Sequence, residues 1–141
     1  MTVRKQILQA MAAAIMPATT LDGRVFRSRS AALARGETPA VVIRPADEAI
    51  NVMGELSERD FSVQILVIAR GEIPDDIADA VIDEVHALLC VDPSFGGLAA
   101  QLFEAGSNWT FADTDETACE LDVRYRVRLY TPEDSLSNTL Q

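Results

Sequence analysis

One histidine, one lysine and two cysteines among 141 residues leave this chain poor in the groups that carry chemistry. Lys5, the only lysine, falls on a predicted first helix, a poor place for a Schiff base or a phosphate clamp. His86 falls in a second predicted helix, and no serine or cysteine is positioned by sequence as its nucleophile. Cys90 follows four residues later, about one helical turn away. That pair supplies too few ligands for a structural zinc site. Cys90 and Cys119 are expected to be reduced, buried thiols. Gly96-Gly97 has neither the spacing nor the following Lys-Ser/Thr of a phosphate loop. No apolar run approaches the roughly 20 residues of a membrane span. Residues 1–18 carry a helical period interrupted by Gln9, so they read as a cytosolic amphipathic helix and not as a signal peptide.

Acids are plentiful, but their spacing makes no site. Asp113, Asp115 and Glu116 lack the glycine and distant glutamate of a calcium loop, and read as a solvated hairpin tip. Asp75, Asp76, Asp79 and Asp83 gather at the start of the second helix, where the helix dipole favours negative charge. No cleft is evident for a pair of carboxylates to work in. Enzymatic activity, a metal and a cofactor are therefore not expected.

The net charge of −10 is divided unevenly along the chain. Residues 1–44 hold seven Lys/Arg and two Asp/Glu, whereas residues 45–141 hold five Arg and twenty acids. So acidic a total disfavours nucleic-acid binding, which needs a basic footprint. A molecule with one basic and one acidic portion is instead suited to head-to-tail association with its own copies.

The clearest element is Thr117–Thr131. Cys119, Leu121, Val123, Tyr125, Val127 and Leu129 alternate with Glu120, Asp122, Arg124, Arg126 and Arg128. A period of two puts the apolar set on one sheet face and the charged set on the other. Arg124, Arg126 and Arg128 lie about 6–7 Å apart at ~3.3 Å of rise per residue. That row is either a solvated sheet face or a contact face for another subunit.

Around this strand the rest falls into order. Val3, Ile7, Met11 and Ile15 predict a helix from Thr2 to Met16, with Thr2 as N-cap and Pro17 ending it. Leu21-Asp22-Gly23 turns into a strand at Val25–Arg27, and Ser28–Pro39 reads as a loop. Ala40–Ile43 is a strand stopped by Pro45, and Ala46–Glu58 a mobile acidic excursion. Phe61–Ala69 is a strand apolar on both faces, with Leu66 and Ile68 on the second; such a strand is covered twice or packed by another chain. Ile73-Pro74-Asp75-Asp76 opens the second helix, whose stripe is Ile77, Val81, Ile82, Val85, Leu88 and Leu89. Leu98–Leu102 adds a helical turn, Phe103–Phe111 is a strand, and Trp109 is a core or rim residue. The order is αβββαββ, an α+β two-layer sandwich: a mixed sheet with both helices on one face. Residues 1–131 form the single domain, and 132–141 a polar, flexible tail.

This layout resembles the minor tail protein U family of lambda-like bacteriophages, the tail terminators, and their prophage-encoded relatives. The resemblance runs from Val3 to Thr131. It rests on the leading helix, Leu21-Asp-Gly-Arg24, Thr38-Pro-Ala-Val-Val-Ile43, and Asp60-Phe-Ser-Val-Gln-Ile-Leu-Val-Ile68. Ile73-Pro-Asp-Asp76, Val85-His-Ala-Leu-Leu89, Gly106-Ser-Asn-Trp109, the acidic turn Asp113 to Glu116 and the closing strand complete it. It implies a small protomer forming a six-membered ring that caps the tail tube, stops its polymerisation and presents a surface to the head–tail connector. It further implies assembly in the bacterial cytoplasm, a place at the head-proximal end of the tail, and no catalytic residues. The alternatives are a neck or head-completion role in the same virion, or a small-molecule-binding regulatory domain.

Interface residues are chosen on charge and apolarity, not from the family. Arg24, Arg27, Arg29 and Arg35 form the basic side, meeting Asp47, Glu48, Glu55 and Glu58 of a neighbour. Leu66 and Ile68, and the row Arg124, Arg126 and Arg128, are further contacts with a neighbour or the tail tube. Two long polar loops suited to ordering on contact make a monomer at low concentration the expected isolated state.

Overall fold

Strand pairing follows the alternation of the sequence, and the helices then cover the apolar side. A computed structural model describes residues 1–29, 33–113 and 117–139, with only the backbone of Arg35 and Asp113. The elements are α1 (Val3–Ile15), β1 (Val25–Arg27), a 3-10 turn at Arg35–Glu37, β2 (Ala40–Met53), β3 (Leu56–Arg70), α2 (Pro74–Leu89), β4 (Gln101–Asp113) and β5 (Thr117–Pro132). The sheet is mixed and open, in the order β1-β2-β3-β5-β4. Only β1 and β2 are parallel neighbours; the other pairs are antiparallel. The αβββαββ order and the α+β class are as the sequence predicts.

On β5, every residue from Cys119 to Leu129 in the apolar register is at most 2% exposed. They join Val63, Ile65, Val67 and Ala69 of β3 and the buried stripes of both helices in one core. Val3, Ile7, Met11 and Ile15 supply the α1 stripe, and Ala78, Val81, Val85 and Leu89 that of α2. Thr2 caps α1 by accepting from the Lys5 amide at 3.3 Å. Pro74 opens α2 where its missing N–H costs nothing, and Asp75 and Asp76 follow in the first turn.

Glu84 ties α2 to the segment after α1. Its two carboxylate oxygens accept from the amides and hydroxyls of Thr19 and Thr20 at 2.8–3.1 Å. Those donors favour the charged form, the Thr20 amide most strongly, and hold the carboxyl down at about 2.

Four expectations change. β2 does not stop at Pro45 but runs to Met53, because a bulge between Pro45 and Glu48 absorbs the missing donor. The predicted acidic excursion is thus a β-hairpin, turned at Gly54, whose φ of +65° lies in the left-handed region that glycine enters without strain. Leu98–Leu102 is not helical; β4 begins at Gln101. Cys90 is exposed, whereas Cys119 is buried, and both are free thiols. The segment after Pro132 is tied to the rest of the fold by main-chain bonds: the Glu133 amide donates to Glu55 O at 2.9 Å, and the Val3 amide to Leu136 O at 2.8 Å. The predicted tip at 114–116 lies outside the described residues.

Ile65→Ala will cost about 2–5 kcal/mol in urea unfolding, while Arg126→Ala on the opposite face will stay within about 0.5 kcal/mol of the parent. The Glu84 carboxyl titrates lower folded than unfolded, so its contribution is full above its ordinary value of 4.5 and fades as pH falls towards about 2. Glu84→Gln will therefore melt earlier at neutral pH, and its melting temperature will fall less steeply than the parent's below pH 4.5.

Candidate assembly surfaces

The second sheet face carries the arginine row, and most of its charge is matched within the chain. Asp60 stands directly across from Arg128, which grips it with two bonds of 2.8 and 3.2 Å. This bidentate pair lowers the Asp60 carboxyl and raises the Arg128 guanidinium. Arg124 reaches Asp122, two residues back on the same face, at 3.1 Å, and Gln64 donates to the same carboxylate at 2.8 Å. Glu58 accepts from the Tyr130 hydroxyl directly across from it at 3.0 Å. Arg126, opposite Ser62, is exposed and makes no hydrogen bond or ion pair among the described residues. Three like charges in a row would repel; acids from β3 and β5 turn the row into a ladder.

The apolar part of that face is also covered from within. Leu66 is 7% exposed, and Val42 beside it 2%. Arg70, in the same register, donates to Leu33 O at 3.0 Å, which draws Leu33 over this end of the sheet. Ile68 is half-buried. Leu66 is thus filled by its own chain, not left open for a neighbour.

The predicted basic side divides in the same way. Arg24 donates to Pro39 O at 2.7 Å and lies 3.6 Å from Asp22. Arg29 pairs with Glu37 at 2.7 Å and stacks 4.8 Å above the Phe26 ring. Arg27 is exposed and makes no such bond among the described residues. The side chain of Arg35 lies outside the described residues.

Of the predicted acids, Asp47 and Glu55 are exposed. Glu48 is not available: the bulge turns it to the helix side, beside Phe61. There it meets Arg59 at 2.6 Å and Arg4 at 3.6 Å, and its other oxygen is buried without a partner. Arg59 also donates to the Thr131 hydroxyl at 2.9 Å and is itself buried. This knot joins α1, β2, β3 and β5 at the base of the β2–β3 hairpin.

Two apolar surfaces lie outside the predicted contact residues. Beyond the knot, Ile50, Val52 and Met53 are 52%, 63% and 47% exposed on the β2–β3 hairpin. The alternation of Ile50 and Val52 was the available signal, hidden by the flanking acids. On β4, Trp109 and Phe111 stack at 6.5 Å and remain 39% and 55% exposed. They lie in the register of Leu121 and Cys119, on the helix side but at its rim.

His86 stands at the edge of α2, its Nδ1 2.7 Å from the hydroxyl of Tyr125 and its Nε2 3.6 Å from Cys90 Sγ. Burial pushes the Tyr125 hydroxyl well up, so it stays protonated beside the imidazole. Among the described residues, no three His, Cys, Asp or Glu side chains come together as metal ligands. Among the same residues, no helix is long and apolar enough to cross a membrane.

No family model and no curated protein matches the sequence. Among solved structures, a chain of the virion of the native gene transfer agent particle is similar, with a TM-score of 0.43 at 13% identity over 92% of each chain.

Removing the carboxylate from the knot strands a buried guanidinium. Glu48→Ala will destabilise the chain by about 3–5 kcal/mol, measured by thermal or urea unfolding, with Asp47→Ala close to neutral.

Proposed function

We propose that this chain is a structural subunit of a phage or prophage tail. It assembles as a ring, six-membered by family resemblance, that caps the tail tube and offers the head–tail connector a joining surface. The observation that carries this reading is the hairpin arm. Three large apolar side chains, Ile50, Val52 and Met53, stand exposed at the end of β2, on a hairpin whose other strand, β3, stays paired with β5 to Leu56. Exposed apolar groups gathered at a strand end are costly in a free monomer and mark a contact made elsewhere. The knot of Glu48, Arg59, Arg4 and Thr131 fixes the base of that arm, so it is presented at a set angle. Partners on this reading are copies of the chain, the tail tube protein and the connector. The work is mechanical, done by shape and contact, with no catalytic group and no cofactor. The ring builds in the bacterial cytoplasm and stays in the virion.

Electron microscopy of the purified protein mixed with tail tubes tests this directly. Rings seated at tube ends are expected, and a triple change of Ile50, Val52 and Met53 to Ser will leave the fold intact and the tube ends bare. A parent protein that ignores tubes, or seats on the connector alone, sinks the tube-capping role.

A further inference from the structure

Among the described residues the sheet has two unlike edges, β1 and β4, and its register brings them into correspondence. Side-chain rows run straight across all five strands. One is Val25, Val41, Val67, Leu121 and Trp109; the next on that face is Arg27, Ile43, Ile65, Val123 and Ser107. At one end the row stops at β1, three residues long, with Arg27 exposed and unpaired among the described residues. At the other it stops at β4, thirteen residues long, with Trp109 and Phe111 uncovered. β4 contains no Lys, Arg or Pro, the residues that usually guard an edge strand from pairing, and its one bulge lies between Glu104 and Gly106. β1 runs parallel to β2, and β2, β3, β5 and β4 alternate in direction, so β1 and β4 run opposite ways.

From this geometry we infer that β4 of one copy pairs antiparallel with β1 of the next, carrying the sheet from subunit to subunit. The inference rests on the ring reading and names the surface that builds the ring. A second copy set beside the first in the same orientation presents its β1 antiparallel to β4 with no change of face. Without stagger, Trp109 then packs beside the neighbour's Val25, and Ser107 faces its Arg27. Arg27 lies within reach of the Trp109 ring and the Glu104 carboxylate, gaining the partners it lacks in the free chain. Pairing β4 with β4 instead would close a dimer, put two Glu104-bearing edges together and leave Arg27 unmatched. Unlike edges with matching rows favour the head-to-tail join. This contact is separate from the hairpin arm, which stays free for the tube.

The test is a cysteine pair across the join. Facing side chains on antiparallel neighbours have Cβ atoms about 4.5–5.5 Å apart, close enough for a disulfide to form with small adjustment. In a Cys90→Ser background, the double variant Arg27→Cys, Ser107→Cys will form a disulfide ladder beyond the dimer on mild oxidation, and neither single variant will. Trp109 is the only tryptophan, so its emission will shift to the blue as concentration or added tubes drive assembly. Trp109→Lys, with its native cysteines, will stay monomeric while melting like the parent. Rings seated on tubes with no ladder and unmoved Trp109 emission overturn the edge assignment and leave the ring reading standing. A ladder that ends at the dimer overturns the head-to-tail join. A parent chain that stays monomeric at every concentration and ignores tubes overturns both.

Discussion

The pairing of β3 with β5 is the constraint on which the rest depends. It runs without a bulge from Leu56 opposite Pro132 to Arg70 opposite Ala118. Each strand alternates, so one register decides both faces at once, and a slip of one residue would turn Tyr125 and Val127 to solvent and Arg126 to the core. The core face receives α1 and α2 because Val63, Ile65 and Val67 stand in line with Val123, Leu121 and their neighbours. The charged face receives its ladder because the same register sets Asp60 against Arg128 and Glu58 against Tyr130. Hydrophobic burial supplies the driving force, and the charges select the register.

Charge in this chain serves two ends. Most predicted contact residues are engaged at home: Arg24, Arg29, Arg124, Arg128, Glu48 and Glu58 all have partners in their own chain. Arg27, Arg126, Asp47 and Glu55 remain exposed. That remainder is sparse, so charge alone makes a weak adhesive here and serves orientation. The apolar groups left uncovered at the hairpin and at the β4 rim are the larger source of contact energy.

The exposed arm and the open edges share one origin. Two helices cover the central strands, and the sheet is wider and longer than they are. β2 and β3 outrun them at one end, and β4 lies beyond them at one side. Ile50, Val52, Trp109 and Phe111 all fall in core registers, continuing rows that are buried further in. They are core-like side chains with no helix above them.

The alternation of Cys119 to Leu129, the stripes of both helices and the order αβββαββ were legible in the sequence, because local periodicity is enforced by burial on one face. The proline at 45 misled, since a bulge that lets a strand pass it is a property of the pair and not of the residue. Which arginines are matched was equally out of reach, because Asp60 and Arg128 lie far apart in the chain and meet only across a strand pair. The sequence by itself determined which residues seek a core. Tertiary structure decided which of them found one, because the two helices have a finite footprint on a wider sheet.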